Sequence, residues 1–250
     1  MLFRSLLTFD AVSAAQSVHL AGGTIIGGTV NAGTDIAVEA TGPITLTSAV
    51  AGADLAIAAA SLSVPSLVAG GALTLNVGGM ASLGTVSSAG ASFDAGTLSF
   101  DRIATTGGAG FFGGTVTGGS LDIGTTLSMI VAGSVMLDDA VSGGGMNLQA
   151  SNLTVPVLRS GADLTIRGSD QVNLEAATAT GIADIAAADL FFDTLQATGG
   201  FSTNNRSMTG RSIASGRCGG LVEVSPDVGL RVPCFSGASC GFLRPSSPEV

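Results

Sequence analysis

The sequence has no tryptophan, no tyrosine and no lysine, and His19 is its one histidine. Each absence closes a route. A phosphate-cradling loop of the P-loop type has no lysine to use. Recognition of sugars or bases by stacking on tryptophan or tyrosine is excluded. A catalytic triad or a histidine-rich metal site would rest on His19 alone. All nine basic residues are arginine against 18 acids, so the formal net charge is −9. That is the wrong sign for a nucleic-acid binder, and no nucleic-acid partner is expected. Cysteine occurs only as Cys218, Cys234 and Cys240. Their spacings match no common zinc pattern, and three thiols form at most one disulfide, the pair being left open. No catalytic, cofactor-binding or metal-ligating residue is therefore assigned, and no cofactor is expected. Smooth hydrophobic runs are also missing. The uncharged stretch between Asp54 and Asp94 is broken by Gly, Ser and Pro65 and alternates with period two, so no membrane-spanning segment is expected. The aromatic girdle of a transmembrane barrel has no Trp or Tyr to build it.

What is abundant is glycine, 38 residues, within a chain that is 46% hydrophobic. A core can be filled, so the chain is not a disordered acidic tail. Internal repetition is the main signal. Gly52-Ala53-Asp54-Leu55-Ala56-Ile57 and Gly161-Ala162-Asp163-Leu164-Thr165-Ile166 are near copies. Apolar i, i+2 pairs recur between them. One series runs Val18/Leu20, Ile36/Val38, Leu55/Ile57, Leu73/Leu75, Phe93, Phe111, Leu127/Met129, Met146/Leu148, Leu164/Ile166 and Ile182. Its nine steps average about 18 residues. A second series keeps pace with it: Ile26, Ile44/Leu46, Leu62/Val64, Ala81/Leu83, Leu98/Phe100, Val116, Val135/Leu137, Leu153/Val155, Val172/Leu174 and Leu190/Phe192.

Each unit thus holds at least two short strands with one buried face. Turn residues recur too often to leave room for a crossover helix. A single 18-residue coil cannot bury its apolar face, whereas stacked coils can. The sequence predicts an all-β fold, a right-handed parallel β-helix of about ten coils of ~18 residues. A β-sandwich is the competing reading. Glycine is expected at tight corners that need positive φ. Three regions are expected: 1–17 a lead-in with a truncated start, 18–201 the β-helical repeat, and 202–250 a tail or cap, partly disordered. Five of the nine arginines and all three cysteines lie in the last region.

Short motifs are read against this frame. Gly108-Ala109-Gly110-Phe111-Phe112-Gly113 matches the dinucleotide fingerprint, but nothing after it forms a helical face, so corner glycines are expected. Gly237-Ala238-Ser239-Cys240-Gly241 matches a nucleophile elbow with no histidine after it. Asp138-Asp139 is the one adjacent acid pair, and Arg159 lies about one coil on; a solvated corner is the preferred reading, with acid–base work on a polysaccharide as the alternative. His19 is expected to point outward. Thr45/Thr47, Thr115/Thr117 and Thr178/Thr180 are separated by amounts that are not multiples of 18, which predicts no flat threonine ladder. The corners at Thr105 to Thr117 and Ser142 to Gly145 are expected to be the longer ones and to make contacts.

The Gly-rich, acidic, Ser/Thr-dotted phrases, such as Ala32-Gly33-Thr34-Asp35-Ile36-Ala37-Val38-Glu39-Ala40, resemble the β-helical repeats of filamentous-haemagglutinin-like exoproteins and autotransporter passengers. The resemblance covers roughly residues 18 to 201. It implies a secreted or surface-exposed bacterial stalk with an outer-membrane secretion partner, acting in adhesion to host or neighbouring-cell surface molecules. The absence of cysteine before residue 218 fits chains that cross a membrane unfolded. The function expected is therefore structural and adhesive, not enzymatic. A carbohydrate-active β-helix enzyme, or a non-functional fragment of a larger adhesin, is the alternative.

Overall fold

The computed structural model describes residues 5–216. They contain twenty strands and no helix, and every strand pairing with a stated register is parallel. The chain forms a β-solenoid of about 18 residues per turn. It divides into two compact units, residues 1–124 and 125–250.

In the first unit each coil has three sides. On the first side, Val18 pairs with Ile36, Ile36 with Leu55, Leu55 with Leu73, Leu73 with Ala91, and Ala91 with Ala109. The second side stacks Ile25, Ile44, Leu62, Ala81, Leu98 and Val116 in the same way. The third side stacks Val30, Ala49, Leu67, Val86, Ile103 and Leu121. The second unit repeats the plan. Its first side stacks Met146, Leu164 and Ala183, its second Val135, Leu153, Val172, Leu190 and Met208, and its third Ala140, Leu158, Ala177, Leu195 and Ile213. Alternation is the cause. In Ala72–Ser88 nearly every second residue is buried, so one edge of each strand lines the interior and the other faces water.

Two sides were legible from paired apolar residues, and the third was not. On most coils its inward pair contains at least one small residue, as in Leu67 with Ala69, Val86 with Ser88, Leu158 with Ser160 and Ala49 with Ala51. Two inward assignments are corrected. Ile25 is buried and Ile26 is 49% exposed. Ile182 is 51% exposed, because the step from Leu164 is 19 residues and brings Ala183 and Ile185 inward instead. The ladders also pass both expected limits of the repeat. Leu6–Ala14 pairs with Thr24–Ala32, and Gly200–Ser215 pairs with Ile182–Ala197.

Glycine works by close approach more than by φ. Among the described residues only Gly113 and Gly200 have positive φ. At the corner after the third side, a Cβ on Gly52 would lie 2.1 Å from the carbonyl oxygen of Gly33, and one on Gly161 would lie 2.1 Å from that of Gly143. A side chain there would push the coils apart. Elsewhere glycine makes room for phenylalanine. Phe9, Phe100 and Phe192 are each in register with a glycine of the next coil, Gly27, Gly118 and Gly210. In each pair the ring fills the space a Cβ would take, at 2.1 to 2.3 Å. Ring and void together keep the interior filled. Phe93 and Phe111, also in register, stack at 4.8 Å.

The repeated Gly-Ala-Asp phrase has a structural explanation. Asp54 Oδ1 accepts the Ala72 N–H at 2.8 Å, and Asp163 Oδ1 accepts the Ile182 N–H at 2.8 Å. Each aspartate thereby holds the first strand of the next coil. The residue just before that amide is glycine in both places, and a Cβ on Gly71 or Gly181 would meet the carboxylate oxygen at 2.2 or 2.0 Å.

Candidate functional site

The corners are shorter than the sequence reading expected. After the third side they span one to three residues, for example 33–35, 70–71, 89, 106–108, 143–145 and 198–199. Thr105 to Thr117 is not a long corner: Ala109–Ile123 is one strand, and only 106–108 turns. Ser142 to Gly145 is a corner of ordinary length. Contacts therefore have to be made by the flat sides and by the grooves between them.

Gly108 to Gly113 lies mostly in that strand, with no helix after it, so the dinucleotide geometry is not present. Asp138 and Asp139 sit at the bend between the second and third sides, Asp138 exposed and Asp139 partly so. Arg159 is in register with Val141 and Thr178 rather than with either aspartate, and no ion pair joins them. His19 is exposed, as its place between Val18 and Leu20 predicts. Among the described residues, no cluster of three or more His, Cys, Asp or Glu could hold a metal ion, and no helix is long and apolar enough to cross a membrane. Cys218, Cys234, Cys240 and the Gly237–Gly241 motif lie outside the described residues.

The outward columns differ between the units. On the second side of the first unit, Thr45, Ser63, Ser82, Ser99 and Thr117 stand in register on successive coils. They form a column of hydroxyls about 4.8 Å apart. No flat threonine ladder exists, as expected, but Thr45 and Thr117 share one column with serines between them. The neighbouring outward column carries Thr24, Pro43, Ser61, Met80, Thr97 and Thr115, so this side bears no charge.

The second unit carries charge and carboxamides. Arg167 pairs with Asp184 and also donates to the Asp184 carbonyl at 3.2 Å. Arg206 pairs with Asp189 at 3.2 Å and Arg211 with Asp193 at 3.3 Å. Ser207 Oγ donates to Asp189 at 2.6 Å. That bond, with Arg206 adding to it, holds the Asp189 carboxyl below the ordinary aspartate range. Two grooves lie along this unit. One, about 430 Å³, runs beside Gln149, Ser151, Arg167, Ser169 and Asn204. Its one arginine is already engaged by Asp184. The other, about 350 Å³, is lined by Thr154, Pro156, Asn173, Glu175, Phe191 and Asp193.

Register assembles the second groove. Met136, Thr154, Asn173, Phe191 and Thr209 form one outward column. Glu175 and Asp193 are one coil apart at the adjoining bend, bracketed by the pairs Leu174–Phe192 and Ala176–Thr194. Nothing in the linear order brings these residues together except a step of 18 or 19. Comparison with family models, curated proteins and solved structures finds no match to this chain.

Proposed function

We propose that this chain is a rigid, acidic β-helical stalk segment of a secreted or surface-exposed bacterial exoprotein, with an adhesive role toward host or neighbouring-cell surface molecules. The observation that supports this reading most directly is the unbroken ladder within each unit. Every coil is held to the next by parallel pairing on three sides, and the corners after the third side have at most three residues. Such a body resists local opening, because freeing one strand breaks pairing on both its neighbours. Its outward surface is a set of regular columns whose residues can vary without disturbing the interior. The repeat phrases that resemble filamentous-haemagglutinin-like exoproteins point to an outer-membrane secretion partner. The polysaccharide-cleaving alternative has less support, since Arg159 stands apart from Asp138 and Asp139.

The test uses beads coated with the full chain and presented to bacterial and epithelial cells, beside protease shaving of intact producing cells. Retention of coated beads above uncoated ones, with release of the chain by shaving, is expected. Equal retention overturns the adhesive role, and an unshaved chain overturns surface exposure. Cleavage of an acidic polysaccharide by the parent, lost in the Asp138→Asn/Asp139→Asn variant, replaces the stalk reading with an enzyme.

A further inference from the structure

We propose that the groove beside Phe191 in the second unit binds a neutral oligosaccharide, which would name the chemistry that the proposed adhesive segment recognises. The inference rests on that adhesive reading for its purpose, but on the groove alone for its chemistry.

Phe191 is the centre of the argument. It is 36% exposed, with Asn173 one coil before it and Thr209 one coil after, in a column that begins at the exposed Met136. An exposed ring beside polar groups offers a flat apolar platform that a ligand can cover. The ring is flat, and its face carries partial negative charge. A pyranose offers the complement: one face of C–H bonds carrying partial positive charge, ringed by hydroxyls. Stacked on Phe191, such a ring directs its hydroxyls toward the groove wall. Asn173, whose Nδ2 donates to Gln171 at 3.1 Å, offers its second N–H and its Oδ1 there, Thr154 and Thr209 supply hydroxyls, and Glu175 and Asp193 accept. The lining is thus one apolar platform with a few convergent polar groups, the composition of a small-ligand site.

Charge narrows the ligand further. Arg211 pairs with Asp193, whereas Glu175 is exposed and, among the described residues, has no ion pair. The groove therefore keeps a negative charge, in a chain of net charge −9. A uronic or sulfated glycan meets repulsion there, and a neutral one does not. Thr154 to Thr209 spans three steps between coils, about 14 Å. That length suits a short run of sugar units lying along the column rather than a single sugar.

The experiment titrates the full chain with cellohexaose and chitohexaose, with an oligogalacturonate as the anionic probe and spermine as the cationic one. Calorimetry and chemical-shift mapping read the result. A neutral hexasaccharide is expected to bind, with Phe191→Ala weakening it at least tenfold and Asn173→Ala several-fold. His19→Ala, an exposed change in the first unit, is expected to leave neutral binding unchanged. Both rings of evidence are needed, so circular dichroism must show the variants folded; Phe191 is exposed, and its truncation leaves the interior intact. No neutral binding at millimolar concentration overturns the proposal. So does binding indifferent to Phe191→Ala, or preference for spermine that Glu175→Gln abolishes. The two readings fail separately. Coated beads that hold cells while hexasaccharides do not bind leave adhesion standing without this groove. Hexasaccharide binding without bead retention leaves the groove standing without adhesion.

Discussion

The two units share one interior plan and carry different exteriors. Residues 5–124 hold 22 glycines and three Asn or Gln, whereas residues 125–216 hold 11 glycines and eight Asn or Gln. One ion pair lies in the first unit and three in the second, among the described residues. The inward columns show less of a divide, being mainly Leu, Ile, Val and Ala with a few Phe, Ser and Thr, and with Met in the second unit only. The difference teaches where freedom lies in a solenoid. Inward residues must complement the coil above and below, either by similar size or as a ring over a glycine. Outward residues answer only to solvent and to a partner. The first unit uses that freedom for an uncharged column of hydroxyls on its second side, and the second for more carboxamides and more ion pairs.

The sharpest way to break this comparison is to substitute two adjacent phenylalanines of one strand. Phe111 is fully buried and stacked on Phe93, while Phe112 beside it is 41% exposed. Phe111→Ala is expected to cost about 3–5 kcal/mol. Phe112→Ala is expected to cost under about 0.5 kcal/mol, as surface changes usually do. Urea denaturation of the two variants measures both. Similar costs would mean that the inward and outward faces are not distinguished as the alternation requires.

The fold was legible because its strongest constraint, alternation, repeats every coil. The third side escaped because its buried partners are Ala, Ser and Thr, which an apolar-pair rule does not count. Ile182 faces outward because the step from Leu164 to Ala183 is 19 residues, and a one-residue slip turns every side chain over. The groove was less legible still. Phe191, Asn173 and Glu175 have no motif in common and meet only through register, which the sequence states as an average step and not coil by coil. Thr45 and Thr117 were hidden in the same way, four coils apart with serines between them.

A buried corner column gives the next comparison, one serine in each unit. Ser88 and Ser160 each end a strand on the third side and are both at most 4% exposed. Ser160 Oγ donates to the Asp163 carbonyl at 2.8 Å, across a corner of three residues. The corner after Ser88 is the single residue Ala89, and the Ser88 hydroxyl has no hydrogen-bond partner among the described residues. A buried hydroxyl without a partner costs stability, and one with a partner adds it. Ser160→Ala is therefore expected to destabilise by about 1 kcal/mol, and Ser88→Ala to be neutral or stabilising by up to about 1 kcal/mol. Opposite shifts in thermal midpoint are the readout, and a loss in both would show that Ser88 is satisfied.

The Gly-Ala-Asp phrase makes a double-mutant prediction of similar size. Asp163→Ala removes the bond to the Ile182 amide, and Gly181→Ala displaces the same carboxylate. Each is expected to cost about 1 kcal/mol. Because both remove one interaction, the double variant is expected to cost about as much as either alone, not the sum. Full additivity would separate the glycine from the aspartate and leave the repeated phrase without its explanation.

The smallest effect tests the charged exterior of the second unit. The hydrogen bond from Ser207, with Arg206 adding to it, lowers the folded-state value of Asp189 relative to the unfolded chain. A lowered value means that the folded state binds the proton less well than the unfolded one does. The stabilisation is then complete above the unfolded aspartate value, about 3.9, and is lost as pH falls through the lower folded value. Ser207→Ala removes the larger cause and leaves Arg206, whose pairing is exposed and worth little by itself. Carbon-13 titration of the Asp189 carboxyl is therefore expected to move upward in the variant, and the acid limb of its stability curve to become smaller and to end at a higher pH, its start staying at the unfolded value. The same titration at raised salt separates the two causes, because screening weakens the Arg206 attraction and leaves the Ser207 bond in place. A carboxyl that moves with salt but not with Ser207→Ala would assign the shift to charge, and would make the exterior of this unit an ionic network rather than a hydrogen-bonded one.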